Sequence, residues 1–257
     1  MTNQLETAVD SGNLKRVVIE PVTRVEGHGK VTLLQDEQNR IRQARLHIVE
    51  FRGFEKFIQG RPYWELPVLV QRLCGICPVS HHLAAAKATD MLIGARELTP
   101  TAEKLRRLMH LGQTLQSHAL HFFHLSSPDL LFGYDDAVTH RNIIGLLEDH
   151  PDLARQGIRL RKFGQEVIRA ICGKRIHGTG AVPGGMNKRL TAAERDALLA
   201  DVDARAVSGR AAKPVAGRGV DALAGALERL LILRSLPEQW RQLQQNAISQ
   251  RFDWTVC

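Results

Sequence analysis

Two cysteines in the segment RLCGICPVSHH have the spacing of a metal-binding or redox pair. Cys74 and Cys77 are two residues apart, so both sulfurs can reach one metal ion or each other, and Gly75 frees the turn between them. Pro78 predicts a helix starting directly after Cys77, and the positive end of that helix favours the thiolate form of this cysteine. His81 then lies about one helical turn away, where its imidazole N–H can bond the sulfur or a small ligand.

The CxxC spacing alone leaves other interpretations open. It is compatible with two buried thiols in a core turn. A thioredoxin-like redox pair needs an α/β context, but the preceding segment PYWELPVLVQRL already has a helical pattern. A closed zinc site needs further ligands, and Cys172 and Cys257 are single and distant. We therefore expect a soft-metal site whose other ligands lie in residues that this chain lacks or on a partner.

Glutamates and histidines add further candidates. Glu26 and Glu55 each lie near a glycine between hydrophobic segments, so both can be carried inward, although glutamates are ordinarily exposed. An inward Glu26 would suit a proton relay, and Glu55 offers a hard oxygen ligand for magnesium or calcium. Four histidines of one predicted helix can line a face, although satisfied core or surface histidines are the commoner case: His110, His118, His121 and His124.

The composition is that of a globular protein with a sizeable core. The 257 residues are 44% hydrophobic and 24% charged, which argues against bulk disorder and a fibrous chain. No apolar run approaches the ~20 residues of a membrane span, and the first fifteen residues lack the hydrophobic stretch of a secretory signal, so we expect a cytoplasmic protein. The net charge of +8 suits a nucleic acid or an acidic protein surface, but the aromatic residues do not interleave with basic ones as a base-stacking platform requires.

The elements that must position these residues follow from the hydrophobic periodicity. Residues 15–50 have a β-like pattern with a polar turn, which predicts two or three antiparallel strands. The pattern is helical from residue 62 to about residue 200. Three helices have clear ends: one from Thr99 to about Pro128, one over residues 151–172 stopped by Gly173, and one opened by a capping box from Thr191 to Glu194. Residues 178–188 are rich in glycine and predict a loop.

These motifs, in this order, resemble the large catalytic subunit of nickel-iron hydrogenases. The family pattern R-x-E-G-H, followed about fifty residues later by R-x-C-G-x-C-x-x-x-H, appears as RVEGH at 24–28 and RLCGICPVSH at 72–81. The segments EFRGFEKF, CPVSHHLAAAKA, LHFFHLSSPDLLFG and KRIHGTGAVPGGMNK are most similar to the cytosolic group, in particular the NAD-reducing enzymes. The resemblance covers residues 14–203 and implies an α+β fold, mainly helical, with a small N-terminal antiparallel sheet packed on a helix bundle.

The resemblance also implies roles for the candidate residues. It makes Cys74 a terminal nickel thiolate, Cys77 a thiolate bridging nickel and iron, and His81 the histidine beside the bridging sulfur. Glu55 resembles the carboxylate ligand of a magnesium site, and Glu26 the glutamate that receives protons from the nickel thiolates. The implied reaction is the reversible oxidation of dihydrogen, at a nickel-iron centre whose iron carries diatomic ligands.

The same resemblance implies partners. Electrons would pass to an iron-sulfur small subunit and then, through flavin on diaphorase subunits, to NAD, and maturation factors would insert the metals. Alternatives are a deazaflavin-reducing or other cytosolic hydrogenase and a non-catalytic paralogue of the kind found in respiratory complex I. The cysteine pair argues against the paralogue. A zinc-binding or nucleic-acid-binding module is a further alternative.

The family's other two metal cysteines belong to a D-P-C-x-x-C motif, which this sequence does not contain. We therefore expect a flexible N-terminus at 1–13, the N-terminal half of the large-subunit domain at 14–203, and an atypical tail rich in Ala, Gly and Arg at 204–257, frame-shifted or foreign. Two thiolates should not hold a binuclear centre stably, so the chain alone is expected to be inactive. We also expect it to expose apolar helix positions that a second half would cover: Leu105, Leu108, Leu115 and Phe122.

Overall fold

The computed structural model describes residues 14–48, 50 and 53–208, and the chain divides into two compact units, Met1–Gly53 and Phe54–Cys257. The first unit contains a three-stranded antiparallel sheet in the order β1-β2-β3. Its strands are β1 (Lys15–Ile19), β2 (Gly29–Gln35) and β3 (Ile41–Ile48). The predicted small antiparallel sheet is therefore confirmed.

The second unit is mainly helical, as predicted, and carries one short hairpin. Two short 3-10 turns flank its second helix, at Tyr63–Glu65 and Gln71–Leu73, and a π-helical turn follows the fourth at His121–Ser126. Its helices are α1 (Phe54–Phe57), α2 (Leu66–Val70), α3 (Pro78–Leu92), α4 (Pro100–Leu120), α5 (Ser127–Phe132), α6 (Ile143–Asp149), α7 (Pro151–Cys172) and α8 (Ala192–Ser208), and its hairpin pairs β4 (Ala181–Val182) with β5 (Gly185–Met186). No helix within the described ranges is both long and apolar enough to cross a bilayer.

Local sequence signals fix the ends of the long helices. The Thr99 side chain accepts a hydrogen bond from the Ala102 N–H at the start of α4. Gly173 ends α7 in the left-handed conformation, with φ of 82°. The end predicted near Pro128 is wrong, because the helical path continues through the π turn into α5 and a proline is tolerated in the first turn of a helix.

The core of the second unit lies where α4 packs against α7. A Cβ added to Gly112 would lie 3.1 Å from the Gly164 carbonyl oxygen, and one added to Gly164 would lie 2.6 Å from the Gly112 oxygen. The two glycines therefore let the helix backbones approach closely. Around this contact lie fully buried side chains: Leu108, Met109, Phe163, Val167 and Ile171.

The burial of α4 overturns one expectation. Leu105, Leu108 and Leu115 are not exposed apolar positions, since they are only 3%, 0% and 4% exposed. Phe122 is partly buried and contacts the Phe123 ring edge to face, with centroids 4.9 Å apart. The stripe faces α7 within this chain, because α7 supplies a complementary apolar face.

A buried ion pair joins α3 and α4 to the hairpin. The Asp90 carboxylate accepts hydrogen bonds from Arg106 at 2.5 and 3.3 Å, and the two side chains are 7% and 10% exposed. Arg106 also donates to the carbonyl oxygens of Val182 and Gly185, at 2.8 and 3.0 Å. The Gly184 N–H donates to Asp90 at 2.7 Å, so this pair holds the hairpin turn on both helices.

The capping box of Thr191 and Glu194 at the start of α8 makes the stability of the fold depend on pH. The Lys188 ammonium donates to both Glu194 carboxylate oxygens at 2.8 and 2.9 Å, and this bond, with the Thr191 N–H, lowers the pKa of Glu194 to about 2. Because this pKa lies below the value of 4.5 in the unfolded chain, the ionised carboxylate stabilises the fold above pH 4.5, and this stabilisation is lost as the pH falls towards 2.

We expect Glu194→Gln to lower the unfolding midpoint at neutral pH. The difference from wild type should vanish near pH 2, and an equal loss at both pH values would contradict the assignment.

Candidate metal centre

Cys74, Cys77 and His81 form a cluster with the geometry of a metal site. Cys74 lies in extended conformation after the 3-10 turn, Cys77 caps α3, and His81 lies one turn into that helix. One ligand atom from each, the two sulfurs and an imidazole nitrogen, lie within 4.8 Å of one another. The sequence prediction that these three residues converge is therefore confirmed.

The loop between the cysteines directs both thiols to the same side. The Cys77 N–H donates a hydrogen bond to the Cys74 sulfur, with 3.2 Å between nitrogen and sulfur. Cys74 is buried and Cys77 half-buried, and no Cβ at Gly75 would touch another residue within 4 Å. This bond fixes the Cys74 sulfur beside the N-cap residue of α3.

Three side chains distant in the sequence hold the carbonyl groups of this loop. Gln113 and Gln116 of α4 both donate to the Ile76 carbonyl oxygen. The His177 Nε2 lies 3.1 Å from the Cys74 carbonyl oxygen, and its Nδ1 lies 3.2 Å from an Arg72 nitrogen. Because Arg72 can only donate, the His177 Nδ1 accepts and its Nε2 donates to Cys74.

His177 has an unusual backbone conformation for this task. Its φ is 54°, in the left-handed region that a residue other than glycine rarely adopts. Such strained positions cluster at functional sites, because the surrounding structure must hold them. The sequence did not predict His177, Gln113 and Gln116 as parts of the site, and the only signal for His177 was its position directly before the glycine-rich segment 178–188.

His82, the neighbour of His81, has a structural role. Its Nδ1 donates to the Pro67 carbonyl oxygen at 2.6 Å, and its Nε2 accepts from the Ala181 N–H at 2.9 Å. Burial lowers the pKa of His82, since the charged form would lose solvation in the core. The neutral ring thus ties α2 to the hairpin strand β4, across the helix that carries His81.

The remaining candidate residues lie outside this cluster. Glu26 is exposed in a loop of the first unit, between Arg24 and Gly27, whose φ values of 63° and 81° are both positive. Glu55 is exposed in α1 of the second unit. Both positions differ from the expectation that these carboxylates are carried inward.

The four histidines of the α4 segment do not form a metal-binding group among the described residues. His110, His118, His121 and His124 are all exposed. The more common interpretation, surface histidines, is confirmed.

The third described thiol is a core group. The Cys172 sulfur lies 2.7 Å from the Met109 sulfur, and burial raises the pKa of this thiol to about 12. Such a thiol is inert at neutral pH. Cys257 lies outside the described residues.

The cluster fits a soft metal centre in part. Two thiols and one imidazole are the donors that nickel, low-valent iron and zinc prefer, and Cys74 is buried whereas Cys77 and His81 are half-buried. Cys74 and Cys77 suit two of the four thiolate positions of a nickel-iron centre. The described residues contain no other Cys, His, Asp or Glu within the same group, so the other ligands must come from elsewhere.

Two protein-family models match adjoining parts of the chain. The model described as HoxL-like matches residues 16–51, and the model described as Nickel-dependent hydrogenase matches residues 52–133. The first range includes Glu26, and the second includes Glu55 and the complete cysteine cluster.

Individual relatives extend this match. The beta subunit of the NAD-reducing hydrogenase HoxS of Cupriavidus necator is 54% identical over 190 residues, covering 72% of this chain and 39% of the relative. One subunit of the vhu F420-non-reducing hydrogenase of Methanocaldococcus jannaschii is 50% identical over 188 residues, covering 73% and 45%. Both relatives are named as single subunits of larger enzymes.

The solved structures agree. A crystal structure of NAD+-reducing [NiFe]-hydrogenase in the H2-reduced state superimposes with a TM-score of 0.71 at 57% identity, covering 86% of this chain and 46% of that one. The Ni-Fe-Se hydrogenase from D. vulgaris Hildenborough gives a TM-score of 0.63 at 29% identity, covering 75% and 41%. This chain thus spans less than half the length of these relatives. Because the nickel-dependent hydrogenase model matches residues 52–133 and these relatives share the sequence and the fold over the matched region, the chain belongs to the nickel-dependent hydrogenase family.

Proposed function

We propose that this chain is the N-terminal part of the catalytic subunit of a nickel-iron hydrogenase, which oxidises dihydrogen reversibly to protons and electrons. The observation that carries the proposal is the cluster of Cys74, Cys77 and His81 within the region matched by the nickel-dependent hydrogenase model. The similarity to NAD-reducing enzymes favours NAD as the final electron acceptor, reached through iron-sulfur and flavin groups on partner subunits.

The residues of this chain would share the work as follows. When bound, a nickel-iron centre supplies a site for the heterolytic cleavage of dihydrogen. Cys74 and Cys77 would hold the centre by their thiolates, and His81 would direct an N–H towards the Cys77 sulfur or a small ligand. Glu26 would take up the proton that leaves a thiolate, and Glu55 would bind magnesium through a hard oxygen.

The test uses a full-length subunit containing these residues, expressed with its small, diaphorase and maturation partners. Purified complex is exposed to dihydrogen in D2O, and the formation of HD and D2 is followed by mass spectrometry. The proposal expects exchange, together with hydrogen-dependent reduction of NAD. Nickel-free protein containing zinc, without exchange, would instead support the zinc-module alternative. Reduction of a deazaflavin with no reduction of NAD would correct the acceptor.

Glu26→Gln should slow this isotope exchange strongly and leave the metal content near normal. The amide keeps the shape of the side chain but cannot accept a proton, so it tests proton transfer separately from metal binding. Glu37→Gln is the matched control, because Glu37 is an exposed glutamate of the same unit. Unchanged exchange in Glu26→Gln would mean that protons leave by another route.

Glu55→Ala should lower the magnesium content and the thermal stability of the full-length subunit. Removing a hard carboxylate ligand leaves the cation under-coordinated. Elemental analysis of the purified variant measures the magnesium directly. The control Glu103→Ala removes an exposed glutamate from α4, and equal magnesium in both variants would refute the role of Glu55.

A further inference from the structure

The peptide group between Ile76 and Cys77 has hydrogen-bond partners at both ends. Its carbonyl oxygen accepts from the side-chain amides of Gln113 and Gln116, at 2.9 and 2.8 Å. Its N–H belongs to Cys77 and donates to the Cys74 sulfur at 3.2 Å. A continuous chain of hydrogen bonds therefore runs from two glutamines of α4, through one peptide group, to a sulfur of the metal-binding loop.

The two glutamines are buried at a position where an apolar residue would be the simpler choice. Gln113 is 2% exposed and Gln116 4%. The Gln113 Oε1 has no hydrogen-bond partner among the described residues, and leaving a buried polar atom unsatisfied costs free energy. Stability alone therefore does not explain Gln113, whose one described side-chain bond is to the loop.

The α4–α7 contact fixes where these amides point. A Cβ at Gly164 would lie 2.9 Å from both the backbone nitrogen and the Cβ of Gln116. The backbone of α7 thus lies directly against α4 at Gln116, and this leaves the helix little freedom to turn or slide. Both amides are held against one carbonyl oxygen by the packing of the core.

We propose that Gln113 and Gln116 are positioning residues that act on the Cys74 sulfur through the Ile76–Cys77 peptide. Two donors on a carbonyl oxygen polarise the peptide group, and a polarised peptide is a stronger donor at its other end. The glutamines thereby strengthen the N–H···S bond and keep the two thiols at a chelating distance before any metal binds. Only the identity of the metal rests on the proposed function, because the effect on the loop exists without it.

The sequence permits a selective test on the 257-residue chain. Ile-Cys dipeptides occur only at 76–77 and 171–172. Labelling isoleucine carbonyls with ¹³C and cysteine nitrogens with ¹⁵N therefore gives two cross-peaks in an HNCO spectrum. One reports the peptide in question, and the other reports a peptide inside α7. The second serves as a monitor of the core in every sample.

Gln113→Met and Gln116→Met remove the donors but keep unbranched side chains. Each should move the Cys77 amide proton upfield. Each should also speed the exchange of this proton with solvent about fivefold, because the closed loop loses one hydrogen bond to the Ile76 carbonyl oxygen, worth ~1 kcal/mol. The double variant should show the larger effect, and the Cys172 cross-peak should stay in place. Thr114→Ala is the matched control, since the Thr114 hydroxyl bonds a carbonyl of its own helix, and it should move neither peak.

A titration with Cd²⁺ alone gives the second readout. Both glutamine variants should bind Cd²⁺ several-fold more weakly than wild type, as judged by the cadmium-thiolate absorption, and Cys74→Ser should lose most of that absorption. The proposal is overturned if the Cys77 cross-peak and the Cd²⁺ affinity stay unchanged in both variants. It is also overturned if the Cys172 cross-peak moves as far as that of Cys77, because the glutamines would then act on the core as a whole. Neither readout uses hydrogenase activity, so failure of the proposed function would leave this test intact.

Discussion

Alanine at Cys74 or Cys77 is expected to abolish hydrogen uptake by a full-length subunit and to remove its nickel. Each side chain supplies a soft thiolate, and a metal site that keeps one side open for its substrate has no spare ligand. The loop would also lose its N–H···S bond in Cys74→Ala, since that sulfur is the acceptor. Nickel is measured by elemental analysis of the purified protein, and uptake by hydrogen-dependent dye reduction.

Cys172→Ser provides the control for this pair of variants. Cys172 is also a buried thiol, but it lies beside Met109 in the core and outside the metal-binding group. The Cys172→Ser variant should keep its nickel and its activity and lose only a little stability. More than a few per cent of activity with full nickel content in either alanine variant would refute the assignment of Cys74 and Cys77 as ligands.

The second large effect concerns stability. Replacing Asp90 by alanine should lower the free energy of unfolding by about 3–5 kcal/mol, because it leaves the Arg106 charge buried without its counter-ion. The hairpin would also lose the bond between the Gly184 N–H and the Asp90 carboxylate. Urea denaturation followed by circular dichroism measures the change, provided that the transition is two-state.

Two further variants separate the ion pair from general damage. Asp90→Leu combined with Arg106→Met removes both charges and should recover part of the loss, since an apolar pair is often as stable as a buried ion pair. Asp152→Ala breaks an exposed ion pair with Arg155, whose side chain is 63% exposed and that of Asp152 87%. This change should lower the free energy of unfolding by less than about 1 kcal/mol. Equal losses for Asp90→Ala and Asp152→Ala would contradict a dominant role of the buried pair.

The sequence predicted most where the determining interactions are local. The N-cap at Thr99, the stop at Gly173 and the capping box from Thr191 to Glu194 each depend on a few neighbouring residues, and the structure has all three. The cysteine cluster was predictable for the same reason, because Cys77 and His81 share one helical turn. The π turn was not predictable, since one extra residue per turn leaves no mark in an apolar pattern.

Other features depend on contacts between distant parts of the chain. Gln113 and Gln116 reach a carbonyl group 37 and 40 residues away, and polar residues on a helix ordinarily indicate a solvent-facing side. Leu105 and its neighbours were predicted to be exposed because their packing partner was expected to lie outside the chain. The structure shows that α7 is that partner. Such pairings are settled by packing, which periodicity does not encode.

The close contact of Gly112 with Gly164 has a consequence for how this region can change its length during evolution. Adding or deleting one residue between Gly112 and Gln116 would rotate the Gln116 amide by about 100° around the helix axis. Substitution of the side chain alone would not return the amide to the Ile76 carbonyl. The loop between α5 and α6 has no such restraint from paired helix backbones. Length variation among relatives should therefore accumulate in that loop and be absent from the middle of α4.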